Sequence, residues 1–179
     1  MAKTERKIID KVFIMLGVCA TAVLLVVGGL AWWGYSFAHN QVHDELASQK
    51  IFFPAKGSAT LSPTEFPDLQ KYAGQQVDNG QKAKAYANDF IGVHINKIAG
   101  GQTYAQVSSA AQANPTNATL QQEKATLFQG ETLRGLLLNA YAFSTLGMIS
   151  YYVALTAFVG AILFAILVLF GLAHLKRTK

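Results

Sequence analysis

Two histidines followed by two carboxylates are the residues whose types and spacing come closest to a metal site. His39 and His43 are four residues apart, so they share one face of a helix, and Asp44 and Glu45 follow directly. Imidazole and carboxylate groups are ligands that Zn²⁺ prefers. Asn40, however, occupies the position of the catalytic glutamate of a zinc-protease helix. His39, His43 and Asp44 are therefore candidate ligands, but without a third strong ligand we predict no metal and no cofactor.

Motifs for nucleophilic or phosphate chemistry are absent from the sequence. It contains no Gly-x-Ser-x-Gly elbow, and its single cysteine, Cys19, lies inside an apolar run. The stretch Gly100-Gly101-Gln102-Thr103 stops one predicted helix and starts another, and no strand precedes it. We therefore predict that the protein is not an enzyme.

The helices that must position any site are dominated by two long apolar runs. Residues 12–38 contain no charge, and residues 135–173 contain no Asp, Glu, Lys or Arg. As one helix the second run would be about 58 Å long, roughly twice the hydrocarbon thickness of a bilayer, so only part of it can lie in lipid. We predict transmembrane helices at 12–38 and 148–173. A signal peptide ending near Ala38 is the alternative for the first run, but the run is longer than a typical signal sequence.

Aromatic and charged residues predict the orientation of these spans. Trp32, Trp33 and Tyr35 end the first run and are expected to anchor it at the headgroup layer. The net charge of +5 is confined to the tails 1–11 and 174–179, since the middle of the chain carries eight basic and eight acidic side chains. The positive-inside rule then places both termini in the cytoplasm of a multi-pass plasma-membrane protein, in contact with membrane lipid. This distribution argues against nucleic acid as a partner.

The segment 39–147 is predicted to be an exported helical domain of about four helices, two of them continuous with the spans. Ser62-Pro63-Thr64-Glu65 predicts a helix start, as does the capping-box pattern at Thr103. Three-four spacing of apolar residues predicts a helix over 80–99. The fold class is thus an all-α membrane protein. An alternative divides 135–173 into two short spans joined by a turn near 147–152.

Small residues in the spans predict close packing of helices. Such surfaces let helix backbones approach each other in lipid, where no hydrophobic force drives association. The stripe serves either self-association or pairing of the two spans of one chain, and the sequence leaves both open. The candidate helix-packing residues are Gly17, Thr21, Gly28, Ala157, Gly160, Ala161 and Ala165.

Four segments, 51–54, 72–77, 89–94 and 130–141, resemble a family of small actinobacterial two-span membrane proteins of uncharacterised function. Some members carry the label of an aromatic ring-opening dioxygenase, which implies a metal site that the residues of this chain do not supply. The resemblance implies a shared structural plan, such as a salt-bridged base of the exported domain. Its candidate residues are Phe52, Phe53, Pro54, Glu131, Arg134 and Asn139.

Charge-free spans, small-residue surfaces and a domain without catalytic groups together predict a non-catalytic membrane protein. Its exported domain is expected to mediate assembly, as a homo-oligomer or as an accessory subunit of a larger envelope complex. One alternative is a homo-oligomeric channel lined by Thr21, Ser150 or Thr156. Another is a ligand sensor, which would need a signalling partner because its cytoplasmic tails are too short for an output domain.

Overall fold

The structure is a computed structural model that describes residues 3–177. Within that range it contains helices, turns and one isolated bridge between Phe52 and Gln76, and no strand, which confirms the all-helical class. The α-helices are α1 (Lys3–Ser48), α2 (Gly80–Ala85), α3 (Gly92–Ile98), α4 (Tyr104–Ala113) and α5 (Ala118–Arg177). A π-helical segment, Tyr86–Ile91, joins α2 to α3, and two 3₁₀ segments, Ala59–Leu61 and Pro67–Tyr72, precede α2.

The chain divides into two compact units. The two-helix unit comprises the described residues of Met1–Phe37 and Leu146–Lys179, and the helical domain comprises Ala38–Thr145. Helices α1 and α5 contribute residues to both units. Because α5 is continuous through residues 147–152, the structure excludes the alternative of two short spans joined by a turn there.

One apolar core fills the helical domain. Nearly every segment of the domain contributes to it, and its largest fully buried side chains are Phe53, Leu61, Val77, Val107, Leu127 and Leu137. Aromatic rings make its centre, since Phe53 stacks on Tyr72 with centroids 5.2 Å apart and meets Tyr86 edge-on at 5.0 Å. His94 is a half-buried core histidine, with its ring stacked on Phe66 and its Nδ1 2.8 Å from the Phe90 carbonyl oxygen.

The prediction that a helix starts at Ser62 is wrong. The Ser62 carbonyl accepts hydrogen bonds from the backbone of Glu65 and Phe66, which closes a single turn, and the next helical segment begins only at Pro67. Pro67 has no N–H to donate to the carbonyl of Pro63, and it disfavours helical backbone angles at Phe66. A second proline four residues after the first therefore stops the helix that the first one favours.

The helix predicted over 80–99 exists but is not regular. Asn79 caps its start by accepting a hydrogen bond from the Lys82 N–H. The N–H of Gly92 donates to the carbonyl of Ala87 five residues back, which marks the π-helical turn between α2 and α3. Buried residues recur at intervals of four, at Ala83, Ala87, Ile91, Ile95 and Ala99. In a regular α-helix each such interval drifts by about 40°, so the wider π turn keeps these residues facing the core.

The environment of Tyr86 predicts that the helical domain loses stability at alkaline pH. Burial raises the pKa of the Tyr86 phenol above its ordinary value of 10.0. The folded domain therefore holds this proton more tightly than the unfolded chain does, and its stability is expected to fall as pH rises above 10. A Tyr86→Phe variant should show a shallower loss, measured by thermal unfolding followed by circular dichroism between pH 8 and pH 11 in detergent.

Tyr141 provides a control of opposite sign. The pKa of its exposed phenol is lowered, chiefly by the hydrogen bond from the Lys84 ammonium and further by Thr145. Ionisation of Tyr141 therefore favours the folded state, and Tyr141→Phe should steepen the alkaline loss. Equal pH profiles for Tyr86→Phe and the unaltered chain would refute the role of Tyr86.

Candidate functional site

The outer surface of the two-helix unit is apolar. The helices Glu5–Ser48 and Ala118–Arg177 are long and apolar enough to cross a membrane. The mean hydropathy of the most apolar 18-residue stretch is 2.5 in the first helix and 2.8 in the second. Only 6% and 17% of the residues in these stretches are buried, whereas the core helix of a soluble protein is mostly buried. Large side chains such as Phe13, Trp33 and Phe170 are each more than two-thirds exposed. Such a surface fits contact with lipid better than contact with water.

Glycines of the two-helix unit lie where its helices approach most closely. A Cβ added at Gly17 would lie 2.6 Å from Val168, and one added at Gly28 would lie 2.8 Å from the Phe158 ring. Neither distance is compatible with a real side chain, so α1 and α5 pack directly over these glycines. Gly160 faces Leu24 in the same way, with its added Cβ at 3.3 Å.

The other predicted small residues are also directed into this unit. Ala157 and Ala161 are 6% and 2% exposed, and Ala165 and Thr21 are half-buried. Ala154, which was not among the predicted packing residues, is fully buried in the same row, one turn before Ala157. The small-residue stripe is therefore used between the two helices of one chain, which removes it as support for self-association.

Hydroxyl groups in the two-helix unit bond to their own helices. Thr21 donates to the Gly17 carbonyl at 2.8 Å, and Ser150 donates to the Leu146 carbonyl at 3.1 Å. Thr156 likewise donates to the carbonyl of Tyr152 at 2.9 Å. Hydroxyls that satisfy backbone carbonyls in this way are common in transmembrane helices and do not by themselves indicate a polar pore lining.

An aromatic cluster occupies one end of the two-helix unit. The predicted anchors Trp32 and Tyr35 pack on Tyr151 of α5, with ring centroids 6.3 and 5.2 Å apart, and Trp33 stacks on Phe37 at 5.8 Å. Tyr151 was not among the predicted anchors, although Tyr151-Tyr152 begins the most apolar part of α5 and is a typical interface signal. Both helices thus carry amphipathic rings at the same level.

The histidine pair lies beside a small polar cavity of the helical domain. His39 and His43 line a cavity of about 230 Å³ with Asp78, whereas Asp44 does not line it. The His43 Nδ1 is 3.1 Å from the Asp78 carbonyl oxygen, and the Asp78 carboxylate pairs with the Lys82 ammonium at 3.0 Å. The described residues include no group of three or more His, Cys, Asp or Glu side chains that could hold a metal ion.

Arg134 of α5 forms hydrogen bonds with the π-helical segment. Its Nε donates to the Ala87 carbonyl at 3.1 Å and its Nη2 to the Asn88 side-chain oxygen at 3.3 Å. Its Nη1 donates to both oxygens of the Glu131 carboxylate, at 2.8 and 3.0 Å. Although a polar cleft of about 420 Å³ opens beside it, the guanidinium is largely occupied by these contacts. These contacts hold α5 against the π-helical segment.

The remaining residues suggested by the family resemblance lie at separate places in the helical domain. Phe53 is buried and the Pro54 carbonyl accepts a hydrogen bond from Gly74, while the Phe52 side chain is 52% exposed. Asn139 is exposed and borders an apolar groove of about 300 Å³ between α1 and α5. Glu131 and Arg134 border a different cleft from the one that Asn139 borders.

One exposed face of α5 in the helical domain was not predicted from the sequence as a surface. The spacing between its residues alternates between four and three positions, and all of these residues are exposed and uncharged. We call this face the α5 seam, and it consists of Ala125, Gln129, Thr132, Leu136, Asn139 and Phe143. Leu136 is 63% and Phe143 46% exposed, and both border the same groove as Asn139. The heptad spacing is readable from the sequence, but only the fold shows that this face is left open.

These features define a class: an all-helical protein with two helices able to span a membrane. Comparison of the chain with protein-family models, with curated proteins and with solved structures gives no match. The resemblance to the actinobacterial family therefore stays a prediction from the sequence.

Proposed function

We propose that this chain is a non-catalytic integral protein of the plasma membrane whose exported helical domain mediates assembly. The two-helix unit is its anchor, with both termini in the cytoplasm. In support, Trp33 and Lys11 are about 33 Å apart along α1, close to the roughly 30 Å thickness of the hydrocarbon layer. The anchor thus has aromatic rings at one end and basic side chains at the other, as membrane spans commonly do.

The observation that carries the assembly proposal is the α5 seam. Copies of one membrane protein share one orientation, so an α5 helix meets the α5 of a second copy in parallel and in register about a two-fold axis. Leu136 and Phe143 then pack on their own counterparts, and Asn139 faces Asn139 of the second copy. Because the seam carries no charge, self-pairing creates no like-charge contact. A homo-oligomer is the favoured form, and an accessory subunit of a larger envelope complex is the other.

Cysteine cross-linking in native membranes tests the homo-oligomer. In a Cys19→Ala background, Asn139→Cys is expected to form a disulfide-linked dimer under mild oxidation, because the two-fold axis brings position 139 of both copies together. Ser109→Cys, at an exposed position of α4, is the matched control and should remain a monomer. In mild detergent, the unaltered chain should run at a multiple of 19.3 kDa.

A charge variant adds a second readout. Leu136→Lys places like charges across the seam and is expected to weaken association at least about tenfold, whereas Ser109→Lys should leave it unchanged. A single 19.3 kDa species, together with equal cross-linking at positions 139 and 109, would contradict self-assembly. In that case a photo-cross-linker at position 136 would test for a different protein on the same seam.

A further inference from the structure

A groove in the two-helix unit is a candidate lipid-binding site. It has a volume of about 550 Å³ and lies between α1 and α5. Half-buried Ile14, Gly17 and Val168 contribute to its floor, and the exposed rings of Phe13 and Phe164 form part of its walls. The volume is within the range of ligand pockets, and the lining is almost wholly apolar.

The floor of the groove is fixed by close helix packing. A Cβ added at Gly17 would meet Val168, and a Cβ added at Gly171 would lie 2.9 Å from Ile14. The two helices are therefore in contact beneath the groove, while the longer side chains on either side project past it. Such a channel along two helices is suited to an extended hydrocarbon chain rather than to a compact polar ligand.

The polar end of the groove, its mouth, lies beside helix ends that carry an excess of positive charge. Half-buried Asp10 and exposed His174 line it. Among the described side chains near them in the sequence, at the same ends of the two helices, five cationic ones outnumber the two carboxylates, Glu5 and Asp10. The cationic residues are Arg6, Lys7, Lys11, Lys176 and Arg177.

We propose that this groove binds one acyl chain of an anionic phospholipid, whose phosphate is held by the basic side chains at the mouth. An unfilled apolar groove would leave its walls without contacts, so a chain of the surrounding bilayer gains dispersion energy by entering it. Basic pockets between transmembrane helices on the cytoplasmic side bind anionic headgroups, which selects among lipids with the same chains. The site depends on membrane insertion of the two-helix unit and is independent of assembly through the α5 seam.

Native mass spectrometry of the full chain in mild detergent tests the proposal. The probes are dioleoyl phosphatidylglycerol and dioleoyl phosphatidylcholine, which share acyl chains and differ in headgroup charge. We expect the anionic lipid to be retained at least about tenfold more strongly. Inorganic phosphate added in excess should not displace it, because the acyl chain supplies part of the binding.

Two pairs of variants separate the groove from its mouth. Ala20→Leu fills the groove, in which Ala20 is a lining residue, whereas Ala22→Leu adds the same side chain at an exposed position of α1. Lys7→Gln with Lys11→Gln removes two cations at the end of α1 that borders the mouth, and Lys56→Gln with Lys71→Gln removes two exposed cations of the helical domain. Each mouth cation lost should weaken retention of the anionic lipid about fivefold, and Ala20→Leu should weaken retention of both lipids.

Several outcomes would overturn the site. Equal retention of the two lipids by the unaltered chain would exclude recognition of the headgroup by the basic side chains. Displacement of the anionic lipid by inorganic phosphate would show that the site binds the phosphate group and not the acyl chain. Equal retention by the folded Ala20→Leu and Ala22→Leu variants would remove the groove. Circular dichroism establishes that each variant is folded. Because the lipid comparison uses the unaltered chain, it remains decisive if a variant fails to fold.

Discussion

A Phe53→Ala variant is expected to lose about 3–5 kcal/mol of the free energy of unfolding of the helical domain. Phe53 is 2% exposed, and its ring packs on Tyr72 and Tyr86 at centroid distances of 5.2 and 5.0 Å. Truncation removes a fully buried ring and its aromatic contacts, and it leaves a cavity that neighbouring segments cannot fill without moving. Since a typical domain has only about 5–15 kcal/mol of stability, this loss is a large part of the total.

The neighbouring residue supplies the control. Phe52 has the same side chain, but it is 52% exposed and its backbone makes the bridge to Gln76. Phe52→Ala should therefore change stability by no more than about 0.5 kcal/mol. Hydrogen exchange of peptides from residues 38–145, measured by mass spectrometry in detergent, reports the domain without the two-helix unit. Similar exchange in the two variants would mean that Phe53 is not at the centre of the core.

A Gly80→Ala variant is expected to cost about 1–3 kcal/mol. Gly80 is buried at the start of α2, where an added Cβ would overlap the Ser144 side chain and lie 3.3 Å from the Tyr141 Cα. Both the new Cβ and the Ser144 Cβ are attached directly to backbone, so no change of rotamer relieves the overlap. The two helices must separate, which disturbs the packing around them.

A double-mutant cycle identifies this cause. Ser144→Gly removes the overlapping atoms, so the double variant should recover most of the stability lost in Gly80→Ala, with a coupling of about 0.5–3 kcal/mol. Gly135→Ala is the opposite control, because nothing lies within 4 Å of its added Cβ. In the interior of α5, that change should stabilise the helix by about 0.5–1 kcal/mol. Additive losses in the double variant would exclude the contact with Ser144 as the reason.

Local signals in the sequence predicted the helix boundaries well where one residue type decides them. The capping box at Thr103 is confirmed in full, with reciprocal hydrogen bonds between Thr103 and Gln106. The same kind of signal was wrong at Ser62, because Pro67 competes with it.

Contacts between segments that are distant in the sequence could not be predicted from local sequence patterns. Glu131 and Arg134 lie three apart on a helix, so their ion pair is readable, but the bond from Arg134 to the Ala87 carbonyl depends on the fold. Small residues predicted close helix packing, yet only the structure shows Gly28 and Ala161 directed towards the other helix of the same chain. The open face of α5 is another such case, because exposure is a property of the whole domain.

Because of the π-helical turn at Tyr86–Ile91, the helical stretch from α2 to α3 contains one residue more than a regular α-helix needs to span the same distance. Loss of a single residue within a regular helix rotates everything after it by about 100°. Here, the surplus residue offers a place where a deletion could restore ordinary helical geometry. In the observed turn, the Ala87 carbonyl accepts hydrogen bonds from both the Gly92 N–H and the Arg134 Nε, so a deletion that changes the turn acts directly on the acceptor of Arg134.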